Sequence, residues 1–394
     1  MRGVGACHRS ADMEKMRGVV PARFLHGSSF VATNSSSAPH DDVRTGQGST
    51  KVDRATFHTR FTAHFQDPAF AAADPERARL EDVAWDGYEQ YRKSPRSRPA
   101  GAGFKDPAYA LPEEWLAARQ AILEAQARHD DASAPATVLL VCASPRTDET
   151  CPGEMSKTFR LTSSAREALG ATGVTVDLLD LSALTAEYGR VIYPCKGCVS
   201  TAMPLCHWPC SCYPNHAMGQ TGDWMAEIYP RWVAAHGVMI VTPVHWYQAP
   251  SVLKLMMDRL VCADGGNPDP TTTHGKTPGE AKALELEGWA YPRHLADRGF
   301  SVVVHGDAAG AESLRRGLHD WLTDMQLVPA GAAAMVDRYV GYYEPYATSH
   351  RALDGDEALF EEVRLAAQAL AACVQQLRTG WRPPGDGQTA PRPK

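Results

Sequence analysis

The sequence has no hydrophobic run long enough to cross a membrane, since no uninterrupted apolar segment approaches the roughly 20 residues of a membrane helix. It also has no excess of basic residues, because 40 Lys and Arg stand against 46 Asp and Glu in a chain of 394 residues. This balance argues against a surface that binds nucleic acid broadly. The apolar share of 44% is nevertheless sufficient for a sizeable core. We therefore expect a globular protein without membrane or nucleic-acid partners.

The N-terminal residues lack the apolar segment of a secretory leader, because residues 1–20 include Arg2, Asp12 and Glu14. We therefore expect a cytoplasmic protein. Cysteine is too scarce for a disulfide scaffold, with ten in the whole chain. Clustered cysteines in a reducing compartment indicate a metal site or redox chemistry more than structural disulfides. Five of the ten fall within 18 residues, at Cys195, Cys198, Cys206, Cys210 and Cys212.

Composition and periodicity divide the chain into four parts. We predict a disordered tail, a helical N-terminal arm, an α/β domain and a second disordered tail, over residues 1–52, 53–134, 136–378 and 379–394. The arm is predicted to be helical because Phe57, Phe61 and Phe65 recur at the spacing of one helical face. The final part is rich in Pro and Gly, which is typical of disorder.

In the α/β domain, predicted strands alternate with predicted helices. Residues 137–143 are almost continuously apolar, which indicates a strand buried on both faces. The other predicted strands cover residues 174–181, 237–242, 299–305 and 328–339. The predicted helices cover residues 155–170, 222–236, 250–262, 311–326 and 356–378. Five strands that are each followed by a helix indicate a doubly wound fold with a five-stranded parallel sheet.

Ligands of such sheets bind beyond the carboxyl ends of the strands, so the loops there are the candidate sites. The first loop contains Ser144 and Arg146 and leads into a helix that opens with Ser156, Lys157 and Thr158. Hydroxyl groups, cations and the N–H groups of a helix N-terminus together favour a bound anion. The alternative is an ordinary polar turn with a helix cap. The loop matches neither the P-loop motif nor the dinucleotide-binding glycine motif.

The loop after the third predicted strand contains Pro243, Val244, His245, Trp246 and Tyr247. Its two adjacent aromatic side chains stand at the end of a strand, where their flat faces could contact a planar ring. The alternative is that they pack into the core. Ligand contact is the interpretation that we favour, since exposed aromatic residues at this edge of the sheet face the candidate site.

These loops resemble those of the flavodoxin-like, NAD(P)H-dependent FMN reductase superfamily. The similarity lies in residues 144–146 and 242–246 and in a Leu-Lys-x-x-x-Asp-Arg helix over residues 253–259, and it extends over about residues 136–378. The resemblance implies an FMN phosphate at Ser144, Arg146, Ser156, Lys157 and Thr158. It implies a flavin ring against Pro243, Val244, His245, Trp246, Gly306 and Asp307.

The resemblance also implies an activity. We expect hydride transfer from NAD(P)H to FMN and then reduction of a small acceptor such as a quinone, a flavin or a nitro compound. The cofactor carries this chemistry, so no protein general base is required. His245 is the one candidate for a catalytic role, through polarisation of the ring or of a substrate. Members of the superfamily are often dimers or tetramers, and we expect a homo-oligomer.

The cysteine-rich loop and residues 222–228 resemble the iron–sulfur flavoprotein branch of the same superfamily. That resemblance implies a [4Fe–4S] cluster held by thiolates of Cys195, Cys198, Cys206, Cys210 and Cys212. Zinc with His207 or His216 as a further ligand is a second interpretation, and ordinary or redox-reactive thiols are a third. These interpretations give two alternative functions. One is a non-enzymatic electron carrier with an iron–sulfur cluster, and the other is a zinc-stabilised binding module without flavin.

Two segments are not explained by these motifs. Residues 262–298 form a long connection, for which a substrate lid and an oligomer contact are the two interpretations. Residues 341–350 are rich in aromatic side chains. They are predicted either to cover the flavin or to pack the last helix.

Overall fold

The N-terminal part of the structure consists of helices and a short antiparallel hairpin. The computed structural model describes Val43 and residues 45–383, so most of both predicted tails lies outside the described residues. The elements before the central sheet are α1 (Arg54–Thr62), α2 (Asp74–Glu89), β1 (Ser97–Pro99), β2 (Ala110–Pro112) and α3 (Glu113–Asp130). Strand β1 pairs with β2, and the sequence analysis did not predict this hairpin.

Local sequence explains the first helix. The Asp53 side chain caps it by accepting a hydrogen bond of 2.8 Å from the Thr56 N–H. The rings of Phe57 and Phe61 stack at 6.0 Å on the predicted face, and the ring of Phe57 contacts Tyr88 of α2 at 5.2 Å. These two rings therefore join the first two helices, which confirms a helical N-terminal region, whereas Phe65 lies in a 3₁₀ turn (Ala63–Phe65) after α1 ends.

The central sheet is parallel throughout. Its strands are β3 (Thr137–Cys142), β4 (Thr175–Asp180), β5 (Gly237–Pro243), β6 (Gly299–Gly306), β7 (Val328–Pro329) and β8 (Met335–Tyr339). The order is β4-β3-β5-β6, and both β7 and β8 pair with β6. This arrangement confirms the predicted doubly wound α/β fold of flavodoxin-like topology.

The strand predicted over residues 328–339 is wrong as a single element. It is two short strands, because Gly331 adopts a positive φ of 99°, which other residues rarely do, and a 3₁₀ turn (Ala332–Ala334) follows. The described sheet therefore has six strands rather than five.

Helices cover both faces of the sheet. They are α4 (Lys157–Gly170), α5 (Ala183–Ala186), α6 (Met225–Ala234), α7 (Ser251–Arg259), α8 (Pro278–Leu286), α9 (Ala311–Asp324), α10 (Tyr346–Asp354) and α11 (Glu357–Arg378). Val138 and Leu140 of β3 pack with α4 and α11, whereas Leu139 and Val141 pack with α6 and α9 on the opposite face. Burial on both faces explains the continuous apolar run of β3. Helices α8 and α10 lie in the two segments that no motif explained.

Candidate functional site

A cavity of about 230 Å³ opens at the carboxyl edge of the sheet, where β3, β5 and β6 end. All but one of the residues predicted to contact flavin line it, and these are Ser144, Arg146, Ser156, Lys157, Thr158, Pro243, Val244, His245, Gly306 and Asp307. The exception is Trp246, whose side chain is 94% exposed and does not line the cavity. The topology thus brings together three loops that are far apart in sequence.

The N-terminus of α4 forms one end of the cavity. Ser156 caps the helix, since its side chain accepts a hydrogen bond of 3.1 Å from the Phe159 N–H. The Arg146 N–H donates to the Ser144 hydroxyl at 3.1 Å, which folds the β3–α4 loop over the helix end. The first N–H groups of a helix have no partner within it and carry a partial positive charge. This end of the cavity is therefore suited to an anion.

Two cations add to this positive potential. The Arg146 guanidinium and the Lys157 ammonium lie 5.4 Å and 5.3 Å from the centre of the Tyr346 ring. Burial lowers the pKa of Lys157 and Arg146 adds to this effect, whereas Asp307 opposes it. The Nε atom of Arg146 is buried and has no hydrogen-bond partner among the described residues. An unpartnered guanidinium nitrogen beside a second cation fits a phosphate group, so this donor set agrees with an FMN phosphate.

His305 is a site residue that the sequence analysis missed. Its buried Nε2 lies 2.8 Å from the Thr158 hydroxyl, so the C-terminal end of β6 is hydrogen-bonded to the start of α4. Burial lowers the pKa of His305 to about 3, with further contributions from Lys157 and His245. The ring is therefore neutral near pH 7 and holds the helix end in position. The signal that could have identified His305 as a site residue was its position at the end of the predicted strand over residues 299–305.

Tyr346 and His350 also line the cavity and were not predicted individually. They lie one turn apart on α10, with the Tyr346 hydroxyl 3.3 Å from His350 Nε2. The Arg146 guanidinium donates to the same hydroxyl at 3.2 Å. The aromatic-rich segment 341–350 was the signal, and whether it covers a flavin stays a prediction.

The loop after β5 turns tightly at the mouth of the cavity. His245 and Gln248 exchange backbone hydrogen bonds of 3.0 Å and 2.9 Å. Between them Trp246 and Tyr247 adopt φ values of 48° and 66°, which L side chains rarely do. The turn directs both aromatic side chains outward, and His245 is itself exposed where it lines the cavity. Desolvation lowers the pKa of His245, against the opposing charge of Asp307.

The cysteine-rich loop lies between β4 and α6. Cys198 Sγ and Cys212 Sγ are 3.6 Å apart, and the Lys276 ammonium donates to them at 3.3 Å and 3.0 Å. Hydrogen bonds from Cys198 and Cys210, together with Lys276, hold the pKa of Cys212 well below its usual range despite burial. Cys206 is buried, whereas Cys195 is half-exposed.

The predicted metal site has no support in the described residues, where no group of three or more His, Cys, Asp and Glu side chains has the geometry of a metal site. The two histidines considered as zinc ligands have other partners. His207 Nδ1 lies 2.6 Å from the Ser211 hydroxyl, and His216 Nε2 lies 3.1 Å from a Glu114 carboxylate oxygen.

The two remaining motifs of the resemblance meet in a buried ion pair. Arg259, from the 253–259 motif, donates to Asp223, from the 222–228 segment, at 2.5 Å. It also donates to the Tyr193 carbonyl at 2.9 Å, and both side chains of the pair are almost fully buried. These residues therefore join α7 to the ends of the cysteine-rich loop.

The sequence comparison decides the family. The sequence model of the NADPH-dependent FMN reductase family matches residues 136–340, which is more than half of the chain and includes the whole β3-to-β8 sheet. The chain belongs to the NADPH-dependent FMN reductase family. It is a flavin-dependent oxidoreductase, as the two loop motifs predicted. No curated protein sequence matches the chain significantly. No helix in the described part of this reductase is long and apolar enough to span a membrane.

Solved structures with similar chain traces include the following three proteins. RosB with a bound 8-demethyl-8-formylriboflavin-5'-phosphate intermediate is 12% identical, covers 62% of this chain and 81% of its own, and has a TM-score of 0.43. An oxidoreductase from Corynebacterium diphtheriae is 14% identical, with coverages of 61% and 98% and a TM-score of 0.36. A flavone reductase is 14% identical, with coverages of 61% and 65% and a TM-score of 0.35. Values this low establish no functional relation.

Proposed function

We propose that the cavity at the carboxyl edge of the sheet binds FMN and that the enzyme transfers reducing equivalents from NAD(P)H to a small acceptor. The observation that carries this proposal is the convergence of Arg146, Lys157 and the α4 N-terminus at one end of the cavity. That end would hold the phosphate through Ser144, Arg146, Ser156, Lys157 and Thr158. Pro243, Val244, His245, Gly306 and Asp307 would contact the ring, as the family implies.

Bound FMN supplies the hydride chemistry, so the protein contributes binding and orientation. Asp307 and His245 also line the cavity. The lowered pKa keeps His245 neutral near pH 7, so its ring can donate or accept a hydrogen bond there. We propose that His245 orients the acceptor or the ring. The outward-facing Trp246 and Tyr247 would contact a planar acceptor at the mouth, which favours a quinone, a flavin or a nitro compound.

The first prediction concerns Arg146. We expect Arg146→Ala to weaken FMN binding by roughly ten- to a hundredfold, because the loss of a charge-assisted hydrogen bond costs about 1.5–3 kcal/mol. Binding of riboflavin, which lacks the phosphate, should change little. The measurement is the quenching of flavin fluorescence by the anaerobically purified full-length protein, with FMN and riboflavin titrated in parallel.

Arg166→Ala is the matched control, because Arg166 lies on α4 but is exposed to solvent. It should bind FMN like the unaltered protein. Absence of FMN binding to the unaltered protein, even at excess flavin, would refute the proposed function. Equal losses of FMN and riboflavin affinity in Arg146→Ala would refute the phosphate assignment alone.

The same preparation tests the alternatives from the sequence. Iron, zinc and FMN are quantified together with the visible spectrum. One FMN per chain with negligible iron supports the reductase, whereas about four irons per chain would favour the electron carrier with a [4Fe–4S] cluster. Stoichiometric zinc without flavin would favour the binding module. A homo-oligomer is also proposed, and light scattering of the flavin-loaded protein measures it.

A further inference from the structure

Two thiols of the cysteine-rich loop, which the flavin proposal does not use, lie in contact with each other and with one ammonium, and Cys210 is a further thiol neighbour of Cys212. The Sγ atoms of Cys198 and Cys212 are in van der Waals contact at 3.6 Å. Lys276 approaches them from a different part of the chain, with Nζ at 3.3 Å and 3.0 Å from the two sulfurs. The sequence alone does not predict these contacts, because the cysteines are 14 positions apart and Cys212 is 64 positions from Lys276.

Several buried contacts hold this arrangement. The Lys93 ammonium donates to the Ser211 carbonyl, next to Cys212 in the chain. The buried ring of His207 contacts the Ser211 hydroxyl at 2.6 Å and, through Nε2, the Thr273 hydroxyl at 3.4 Å. The Thr273 hydroxyl in turn donates to the Gly275 carbonyl at 2.8 Å, immediately before Lys276. The loop that carries Cys212 and the turn that carries Lys276 are therefore connected directly.

The chemistry of this group differs from that of a structural thiol. An ammonium beside two thiols stabilises the thiolate, and the thiolate is the species that attacks a disulfide. Two thiols in contact provide both the attacking and the resolving group for thiol–disulfide exchange. The donor set also differs from that of a metal site, because Lys276 occupies the position between the two sulfurs. A cationic ammonium there opposes a bound metal cation.

We propose that Cys198, Cys212 and Lys276 form a redox-active dithiol site that closes reversibly to a Cys198–Cys212 disulfide by exchange with a soluble disulfide such as oxidised glutathione. This inference does not depend on flavin binding.

The exchange balances in two steps. The Cys198 thiol passes its proton to the neighbouring Cys212 thiolate, and the resulting Cys198 thiolate attacks one sulfur of the soluble disulfide. This forms a mixed disulfide on Cys198 and releases one thiolate. Cys212 gives its proton to that released thiolate, attacks the Cys198 sulfur of the mixed disulfide and releases the second thiolate. The protein thus loses one proton and two electrons, and the soluble disulfide becomes one thiol and one thiolate.

The solvent exposure of the two cysteines indicates the order in which they react. Cys198 is half-exposed, whereas Cys212 is buried with 6% of its surface accessible. A soluble disulfide therefore reaches Cys198 first, and Cys212 acts as the resolving thiol from within. Lys276 stabilises the thiolate in either step because it contacts both sulfurs.

The test uses the reduced full-length protein in anaerobic glutathione buffers of increasing oxidised fraction. Samples are quenched with acid, alkylated, digested and analysed by peptide mass spectrometry, and iron and zinc are quantified in the same preparation. We expect a peptide pair linked through Cys198 and Cys212, with the loss of two alkylatable thiols per chain. The link should disappear on treatment with dithiothreitol.

Charge-matched variants test the role of the lysine. Lys276→Met should slow formation of the link roughly tenfold, because the thiolates lose their cation. Lys196→Met removes an exposed lysine of the cysteine-rich loop and should leave the rate within about twofold. Cys195→Ser removes a half-exposed neighbouring thiol and should retain the link. Circular dichroism establishes whether each variant is folded. If a variant does not fold, formation of the Cys198–Cys212 link in the unaltered protein still tests the proposal.

Two results would overturn the proposal. One is that Cys198 carries only a glutathione adduct, without a linked peptide at any buffer composition. The other is a stoichiometric metal that protects both cysteines from alkylation until a chelator removes it.

Discussion

At the residue scale, the loops beside the cavity contain three aromatic residues in a backbone region that L side chains rarely adopt. Trp246, Tyr247 and Tyr343 have φ values of 48°, 66° and 58°. Such a conformation costs on the order of 1–3 kcal/mol per residue and persists only where neighbouring contacts enforce it. The backbone pair of His245 and Gln248 encloses the first two, and the Tyr343 N–H donates to the Asp307 carbonyl at 3.0 Å. The strain therefore lies on loops that border the proposed flavin site.

Gly310 permits this turn, and its replacement is the next prediction. A Cβ atom there would lie 2.9 Å from Tyr247 Cα, and Gly310 itself has φ of 116°. We expect Gly310→Ala to lower the free energy of unfolding by about 1–3 kcal/mol, because an alanine is strained there and the turn must also move. Urea denaturation of both proteins measures the difference.

Gly317→Ala is the control for that substitution. Gly317 lies on the exposed face of α9, and a Cβ there would meet nothing within 4 Å. It should raise the free energy of unfolding by up to about 1 kcal/mol. Gly310→Ala at or above the stability of the unaltered protein would contradict the role given to this glycine.

At the scale of elements, α7 is fixed to the cysteine-rich loop by the Arg259–Asp223 pair. The Arg259 guanidinium also lies over the Tyr213 ring, 4.6 Å from its centre. Burial raises the pKa of Asp223, and Arg259 opposes this by stabilising the carboxylate. The motif that resembled the family helix therefore carries a structural ion pair.

Breaking that pair is expected to be costly. Arg259→Met should lower the free energy of unfolding by about 3–5 kcal/mol, because it leaves the Asp223 carboxylate buried without its partner. Lys254→Met, on the same helix, removes an exposed ion pair to Asp258 and should cost less than about 1 kcal/mol. Urea denaturation again gives both values, and equal effects of the two substitutions would contradict the importance of the buried pair.

At the scale of the whole molecule, α3 connects the N-terminal elements to the sheet. Ile122 and Ala125 belong to the core on the α6 and α9 side of the sheet. Near its end, the His129 ring stacks on His236 at 4.6 Å, and His129 Nδ1 lies 3.0 Å from the Ala235 carbonyl. Arg298 is buried nearby and donates to the Val233 carbonyl at 2.6 Å. Two imidazoles therefore lie beside a fixed cation at this junction.

This junction predicts a dependence of stability on pH. Burial, Arg298 and His236 lower the pKa of His129 from 6.5 to about 4. The unfolded chain binds a proton at His129 more tightly than the folded protein does. The free energy of unfolding is therefore not reduced by His129 above pH 6.5, and it declines as the pH falls toward 4. His129→Gln should reduce that decline by roughly 1–2 kcal/mol, after allowance for solvent screening at a partly exposed ring.

Urea denaturation between pH 4 and 7.5 checks this prediction. Other buried histidines add to the total decline, because the pKa of His207 and of His305 is also lowered to about 3. The comparison therefore rests on the difference between variants. His64→Gln replaces an exposed histidine and should retain the full decline. An unchanged decline in His129→Gln would refute the assignment to this junction.

The amino-acid sequence determined the α/β class, the family and the order of β3, β4, β5 and β6 with the helices that pack on them. The reason is that a strand buried on both faces requires a continuous apolar run, as in β3, and ligand loops follow strand ends in a parallel sheet. The predicted flavin contacts, except Trp246, accordingly meet in one cavity. Their binding of FMN, like the iron–sulfur alternative, stays a prediction.

Only the tertiary structure decided which distant loops meet. Tyr346 contacts Arg146 across 200 residues, and Lys276 contacts Cys198 across 78. Such contacts depend on how helices and loops pack over the sheet, and local periodicity carries no information about that packing. The division of the last predicted strand has a similar origin, because β7 and β8 both pair with β6 on either side of the turn at Gly331. Sequence patterns thus specify elements and their edges, whereas long-range packing selects the partners of each side chain.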